Sequence, residues 1–200
     1  MELETFDRRL SEQLLSVAQA GMHNAARGFS HMVNATLTVT DPVVTAVPLT
    51  SLQTILGGPE NEAVGIYLRA EGELAGQFMM VVPLDKSLEL VDLIMDLPPG
   101  TTQALGALER SALAELGNLT GSFFLNAAAA ISGLAARPSP PAVVVDMLGA
   151  ILDILMLTWD GVTESILMVQ ATFQQGERGI SASFWVIPDR HTLEAVGRKR

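Results

Sequence analysis

Residues 111–127 read Ser111-Ala-Leu-Ala-Glu115-Leu-Gly-Asn118-Leu-Thr-Gly-Ser-Phe-Phe-Leu-Asn-Ala127 and decide the fold of the second half of the chain. At about 3.6 residues per turn, polar residues spaced four, three and four apart share one helix face, the polar stripe of Ser111, Glu115, Asn118 and Ser122. The opposite face is mostly apolar and carries Leu113, Gly117, Thr120, Phe124, Ala127 and Ile131. This pattern predicts an amphipathic helix that packs one face on a core and turns the polar stripe outward.

The elements around this helix occur twice along the chain, in the same order. The first half is predicted to hold a long helix over about residues 5–33, strands over 36–40, 43–48, 63–70 and 77–82, and a helix over 84–95. The second half is predicted to hold a long helix over about residues 103–132, a proline break at 138–141, strands over 165–173 and 179–187, and a closing helix. Pro98-Pro99-Gly100 separates the halves.

Two sequence matches indicate a duplication. Pro42 and Pro141 lie 99 residues apart, whereas Pro83-Leu-Asp-Lys-Ser-Leu-Glu-Leu-Val and Pro188-Asp-Arg-His-Thr-Leu-Glu-Ala-Val lie 105 apart, so a loop difference of six residues explains the drift. We therefore predict an α+β fold in which two pseudo-symmetric halves, about residues 1–99 and 100–200, form a single domain. The halves would share a central, mostly antiparallel sheet, with two long helices packed on one side.

The composition narrows the function and the compartment. With 22 acidic against 12 basic residues, the net charge of −10 would repel nucleic acid phosphates, so nucleic acid binding is disfavoured. The absence of cysteine agrees with a reducing cytoplasm, and the acidic start of the chain is unlike a secretory signal. Residues 142–157 are apolar but include Asp146 and Asp153 and fall short of the roughly 20 residues that span a bilayer, so we expect buried structure and no membrane insertion.

Sequence patterns for other kinds of site are missing. His23, His31 and His191 have no recognised metal-ligand spacing, and there is no cysteine to complete a site. Walker and Rossmann glycine-rich loops are absent, and so is the Gly-x-Ser-x-Gly nucleophile pattern. We therefore expect this chain to bind no metal or other cofactor of its own.

Two interpretations of the polar stripe follow from its spacing. It can be the solvated face of an amphipathic helix, or it can be a docking face with chemistry of its own. Asparagine is a poor choice in the middle of a helix, and we expect Leu119 and Leu125 to flank the stripe with apolar surface. Spacing alone does not name an activity.

A family resemblance distinguishes the two. Ser111, Glu115, Asn118 and, after 22 intervening residues, Pro141 resemble the signature of the CheC, CheX and FliY phosphatases: Ser or Asp, three residues, Glu, two residues, Asn, 22 residues, Pro. The residues from Glu115 to Ala127 are similar to the second helix of CheC proteins, and the duplicated plan extends the resemblance over nearly the whole chain.

The resemblance implies a substrate and two roles. In this family the substrate is the aspartyl phosphate of a CheY-type receiver, which brings its own Mg²⁺. By resemblance Glu115 would pair with a receiver lysine and Asn118 would orient the attacking water, with Ser111 and Pro141 as supporting positions. An acyl phosphate is already activated, so placing one water in line would be enough.

The first half departs from the family pattern. Ser16 and Gln19 stand 99 residues before Glu115 and Asn118, where a two-site member would have glutamate and asparagine. We therefore expect one working site and one vestigial site. The resemblance also implies CheD, a deamidase and activator, as a possible partner. The alternative is a non-catalytic adaptor that keeps the fold to bind CheD, a receiver or the flagellar switch.

Overall fold

A computed structural model describes residues 16, 17, 20, 21, 23, 24, 38–157, 165–175, 177–189, 191 and 192. The strands are β1 (Thr38–Pro48), β2 (Glu62–Gly72), β3 (Gly76–Pro83), β4 (Ala136–Pro138), β5 (Ala142–Met147), β6 (Ser165–Gln175) and β7 (Arg178–Pro188). The helices are α1 (Leu52–Ile55), α2 (Leu84–Ile94), α3 (Ala107–Ser132) and α4 (Leu148–Leu157), and a 3-10 turn at Leu49–Ser51 precedes α1. Residues described near the N-terminus are helical, in agreement with the predicted first helix, most of which lies outside the described residues.

One sheet of seven strands organises these elements. Its order is β1-β6-β7-β3-β2-β4, with β5 pairing the same edge of β2 as β4, and every described pair is antiparallel. The β2–β3 hairpin and the β6–β7 hairpin meet at the centre through β3 and β7. Each hairpin takes its outer neighbour from the other half of the chain, which is the pseudo-two-fold arrangement predicted from the sequence. A division of the chain near residue 99 stays a prediction.

Strand alternation gives the sheet two buried faces. On one face Ile66, Met80 and Phe184 pack under Leu113 and Leu116 of α3 and under α2, and Val17 of the first helix joins this core. On the other face Met79 and Trp185 pack under α1 and α4. Because successive residues of a strand point to opposite faces, β2, β3 and β7 supply both cores. The first helix and α3 therefore share one side of the sheet, as expected.

The two edges of the sheet carry the same irregularity. At one edge, Thr40 pairs with Thr172 and Val43 with Gln170, so Asp41 and Pro42 stand opposite one residue. At the other edge, β4 and β5 pair with β2 at Pro138↔Ala70 and Ala142↔Tyr67, so three residues stand opposite two. Each edge thus has a bulge of one extra residue at the proline that the repeat aligns. Proline is tolerated there because a bulge on an edge strand does not need its missing N–H.

Some predicted boundaries were wrong. The described part of the first strand pair is one bulged strand, β1, not two strands. Helix α3 begins at Ala107 and not near 103, because Gly106 is extended and the chain before it is held in a turn by Asp92. Residues 142–157, predicted only as buried structure, form β5 and α4, and α1 was not predicted. Within the described residues, no helix has both the length and the apolar character to cross a membrane.

Gly117 lets α3 lie close to the sheet. A Cβ atom at this position would collide with Cγ2 of Ile66 on β2, whose side chain is fully buried. This confirms the close approach that a glycine on the apolar face of the helix predicts. The helix is therefore held at a short distance from β2, which fixes the direction of the polar stripe on its other side.

Gly117→Ala is expected to destabilise the protein by about 1 to 2 kcal/mol, although alanine is intrinsically the better helix former, because the added methyl overpacks a rigid core. Gly121→Ala in the same helix is the matched control, since its Cβ would lie 3.5 Å from Leu68 Cδ1, an ordinary contact. Urea unfolding should show a loss for the first variant and no loss for the second. Equal effects would contradict the close approach.

Candidate functional site

The polar stripe of α3 faces outward. Ser111 and Glu115 are exposed and Asn118 is half-buried, while Leu113, Leu116 and Gly117 between them are buried. This follows from helical geometry, because residues three and four apart lie on one face. The carboxylate of Glu115 and the amide of Asn118 are therefore presented one helical turn apart on the surface.

An open depression brings the four motif positions together. Its lining consists of Ser111, Ala114, Glu115, Asn118, Pro138, Ser139, Pro140 and Pro141. One wall is α3, and the other is the segment 138–141, which joins β4 to β5 and which we call the proline bulge. Glu115 and Asn118 thus line an open surface site and not a closed cavity.

Both functional groups are free to bind a partner. Among the residues that the structure describes, neither the Glu115 carboxylate nor the Asn118 side-chain amide has a hydrogen-bond or ion-pair partner. The amide can both donate and accept a hydrogen bond, which allows it to hold a water molecule in one orientation. In the same part of the chain no group of three acidic or histidine side chains could hold a metal ion.

The proline bulge is tied to the sheet by Ser139. Its hydroxyl accepts a hydrogen bond from the Arg69 amide on β2 at 3.0 Å and donates one to the Pro140 carbonyl at 3.2 Å. Its own amide donates to the Arg69 carbonyl at 2.8 Å. The three prolines have no N–H, so the wall opposite Glu115 and Asn118 has no unpaired backbone donor.

Asp92 anchors the chain that leads into α3. This buried carboxylate accepts hydrogen bonds from the amides of Gly100 at 2.7 Å, Thr101 at 3.1 Å and Thr102 at 2.8 Å. Burial alone would raise the pKa of Asp92, but hydrogen bonds from the Thr102 side chain and from the three amides outweigh it and hold this pKa below its ordinary value. The linker between the halves therefore approaches α3 along a defined path.

A separate apolar cavity lies beside the other end of α3. It is lined in part by Val17, Leu74, Phe78, Phe124 and Ile131, and Phe78 and Phe124 meet edge to face with their ring centroids 4.9 Å apart. Its described lining includes no acidic or basic side chain. The depression over the polar stripe brings a carboxylate and an amide together, so we take it as the candidate site.

Comparison with known proteins supports this assignment. A model of the CheC-like family matches residues 108–145, which include the polar stripe and the proline bulge. The CheY-P phosphatase CheC of Bacillus subtilis strain 168 is 25% identical over 187 residues, which cover 92% of this chain and 90% of that protein. FliY of Thermotoga maritima superimposes with a TM-score of 0.75 at 17% identity, covering 98% of this chain and all of that one. These matches support a relationship of the chain to the CheC/CheX/FliY family.

Another solved structure shares the fold at lower sequence identity. A chain of the FliG–FliM complex from H. pylori has a TM-score of 0.67 at 9% identity, with 94% of this chain and 100% of that chain covered. At such low identity the likeness shows the fold alone. Fold alone does not assign a function, so the functional argument has to come from the site residues.

The vestigial site predicted in the first half of the chain is only partly described. Ser16 is helical and exposed, whereas Gln19 lies outside the described residues. A serine hydroxyl is uncharged and too short to take the place of a glutamate in an ion pair. The expectation of a vestigial first site stays a prediction.

Sequence reasoning missed part of the depression. Ala114, Pro138, Ser139 and Pro140 also line it, and the only signal for them was the proline break. The expected apolar flank was wrong in part, because Leu125 of α3 is buried and Leu119 is half-buried. The exposed apolar side chain on the stripe is Leu108, 63% exposed and one turn before Ser111, where helical spacing could have shown it.

Proposed function

We propose that this CheC-like protein hydrolyses the aspartyl phosphate of CheY-type receivers. The observation that carries the proposal is the open depression in which an unpaired carboxylate and an unpaired amide face the proline bulge. A receiver is itself a folded protein, so its phosphate can be reached only from an exposed, shallow site. The family relative named as a CheY-P phosphatase supports the same substrate class.

The proposed reaction requires the chain only to position one water molecule and to dock the receiver. Asn118 holds a water in line with the bond between phosphorus and the receiver's aspartyl oxygen, and the water oxygen attacks phosphorus as that bond breaks. The products are inorganic phosphate and a free aspartate, and the proton of the water passes to the phosphate or to solvent. The Mg²⁺ on the receiver supplies neutralisation of the phosphoryl charge, and no metal of this chain takes part.

Glu115 would act as an electrostatic clamp on the receiver. A carboxylate that faces an incoming lysine attracts it and fixes the angle of docking, and a charge-assisted hydrogen bond then holds the pair. Its four-residue spacing from Ser111 and three-residue spacing from Asn118 put the clamp beside the water-binding amide. Docking and alignment would therefore depend on the same side chain.

Glu115→Gln is expected to lower kcat/KM for phosphorylated receiver by about tenfold or more, because hydrogen bonds to charged groups contribute about 1.5 to 3 kcal/mol. The wild-type rate should fall as salt rises, and the variant should lose most of that dependence. Glu177→Gln, an exposed carboxylate in the turn after β6, is the control of equal charge. If the two variants show the same kcat/KM and the same salt dependence, the proposed role of Glu115 as an electrostatic clamp is ruled out.

The second candidate function is a non-catalytic adaptor that binds CheD, a receiver or the flagellar switch. The similarity in fold to a chain of the FliG–FliM complex and the altered first half favour it. The test is release of inorganic phosphate from phosphorylated receiver with Mg²⁺, measured with and without the purified chain. Binding of the receiver without faster release would support the adaptor. The proposed phosphatase acts in the cytoplasm, and the absence of cysteine from the sequence agrees with that reducing compartment.

A further inference from the structure

The wall opposite Glu115 and Asn118 is shaped by an interruption of the sheet. β5 pairs with β2 up to Ala142↔Tyr67, and β4 resumes pairing at Pro138↔Ala70. Between these points three residues of one strand face two of the other, so the chain must leave the plane of the sheet. It leaves toward α3, where Pro138, Pro140 and Pro141 line the depression. Bulges often occur beside active sites for this reason, since they redirect a short segment without breaking the sheet.

Ser139 holds the bulge in place. Arg69 is a β2 residue inside the interruption, and both of its backbone groups bond to Ser139, its N–H to the hydroxyl and its carbonyl to the amide. The same hydroxyl donates to the Pro140 carbonyl, which adds a hydrogen bond within the bulge. The neighbouring prolines cannot donate backbone hydrogen bonds, so the two bonds between Ser139 and Arg69 attach the middle of the bulge to β2 in the described structure.

We propose that Ser139 is a positioning residue for the hydrolytic site. By locking the proline bulge to β2, it fixes the wall that limits how a receiver settles against Glu115 and Asn118. Without the lock, the receiver still binds, but fewer bound complexes have phosphorus in line with the water on Asn118. This inference rests on the proposed hydrolysis. Thr40, 99 residues earlier, keeps a hydroxyl residue at the corresponding place beside the first-half bulge.

The proposal predicts a separation of kcat from KM. Ser139→Ala should lower kcat for phosphorylated receiver about tenfold, because small displacements of a positioned site reduce rate strongly, while KM changes less than twofold. Ser139→Thr keeps the hydroxyl and should restore the rate. Ser181→Ala is the matched control, because it removes another exposed serine hydrogen bond, 2.9 Å to Thr172 Oγ1, away from the site. Hydrogen exchange at the Arg69 amide should be faster in Ser139→Ala alone.

The outcomes separate this proposal from the proposed function. If wild type is fast, Asn118→Ala is slow and Ser139→Ala matches Ser181→Ala, only the positioning role is wrong. Unchanged exchange at Arg69 in Ser139→Ala would overturn it as well, since the lock would then not exist. If the wild-type protein does not accelerate phosphate release at all, both the proposed hydrolysis and the positioning role of Ser139 are ruled out. Equal thermal midpoints of the two alanine variants exclude unfolding as the cause of a lower kcat.

Discussion

Asn118→Ala is expected to fold normally and to lose nearly all phosphatase activity. Its side chain is half-buried on the surface of α3 and has no partner among the described residues, so truncation removes no internal hydrogen bond there. Removing one positioning donor costs about 3 to 4 kcal/mol of transition-state stabilisation, by analogy with an oxyanion hole, which corresponds to roughly 100-fold to 1,000-fold in rate. Single-turnover phosphate release, with the chain in excess over phosphorylated receiver, measures this directly.

Two amide variants serve as controls for Asn118→Ala. Asn126→Ala removes an exposed asparagine two turns further along α3 and should leave activity unchanged. Gln19→Ala tests whether the first half still works, and a vestigial site predicts nearly full activity. Substantial hydrolysis by Asn118→Ala would rule out the proposed role of the amide. A large loss in Gln19→Ala would show that the chain has two working sites.

Asp92→Ala is expected to be the most destabilising of these substitutions. Three backbone amides, those of Gly100, Thr101 and Thr102, would lose their acceptor, the carboxylate of Asp92, a residue that is itself 1% exposed. Gly100 and Thr101 are exposed, so water can partly replace the lost acceptor, but hydrogen bonds to a charged group contribute about 1.5 to 3 kcal/mol and are not additive, so a loss of about 2 kcal/mol or more is expected. For a chain of this size that lowers Tm by about 4 °C or more, which differential scanning calorimetry can measure.

The contribution of Asp92 should depend on pH with a definite sign. Because its pKa is lower in the folded protein than the ordinary value of 3.8, the folded state favours the ionised form. Its contribution to the free energy of unfolding is therefore complete above the ordinary value and is lost as pH falls through the folded pKa. The stability difference between wild type and Asp92→Ala should be constant near neutral pH and should shrink in acid.

Asp153→Ala provides the control for this prediction. Asp153 is exposed on α4 and has no partner among the described residues, so its removal should change Tm little at any pH. A difference between Asp92→Ala and wild type that stays the same into acid would mean that the carboxylate charge does not matter. A small difference at neutral pH would mean that the linker is held by other contacts.

The sequence by itself determined the features that depend on local periodicity. Helical spacing placed Glu115 and Asn118 on one face of α3, and Gly117 on the other face indicated the close approach to β2 that Ile66 shows. The repeated order of elements and the aligned prolines predicted a sheet shared by two halves. These inferences succeeded because a helix face is set by residues three and four apart, whose relation survives in any tertiary context.

Only the tertiary structure decided what faces those residues. Ser139 comes 21 positions after Asn118 along the chain and reaches the site because β2 pairs with β4 and β5 around a one-residue bulge. Asp92 likewise holds a linker eight to ten residues away through hydrogen bonds that residue spacing in the sequence does not predict. Strand pairing and buried hydrogen bonds join distant segments, so their partners depend on how the whole chain packs and not on the residues near them in sequence.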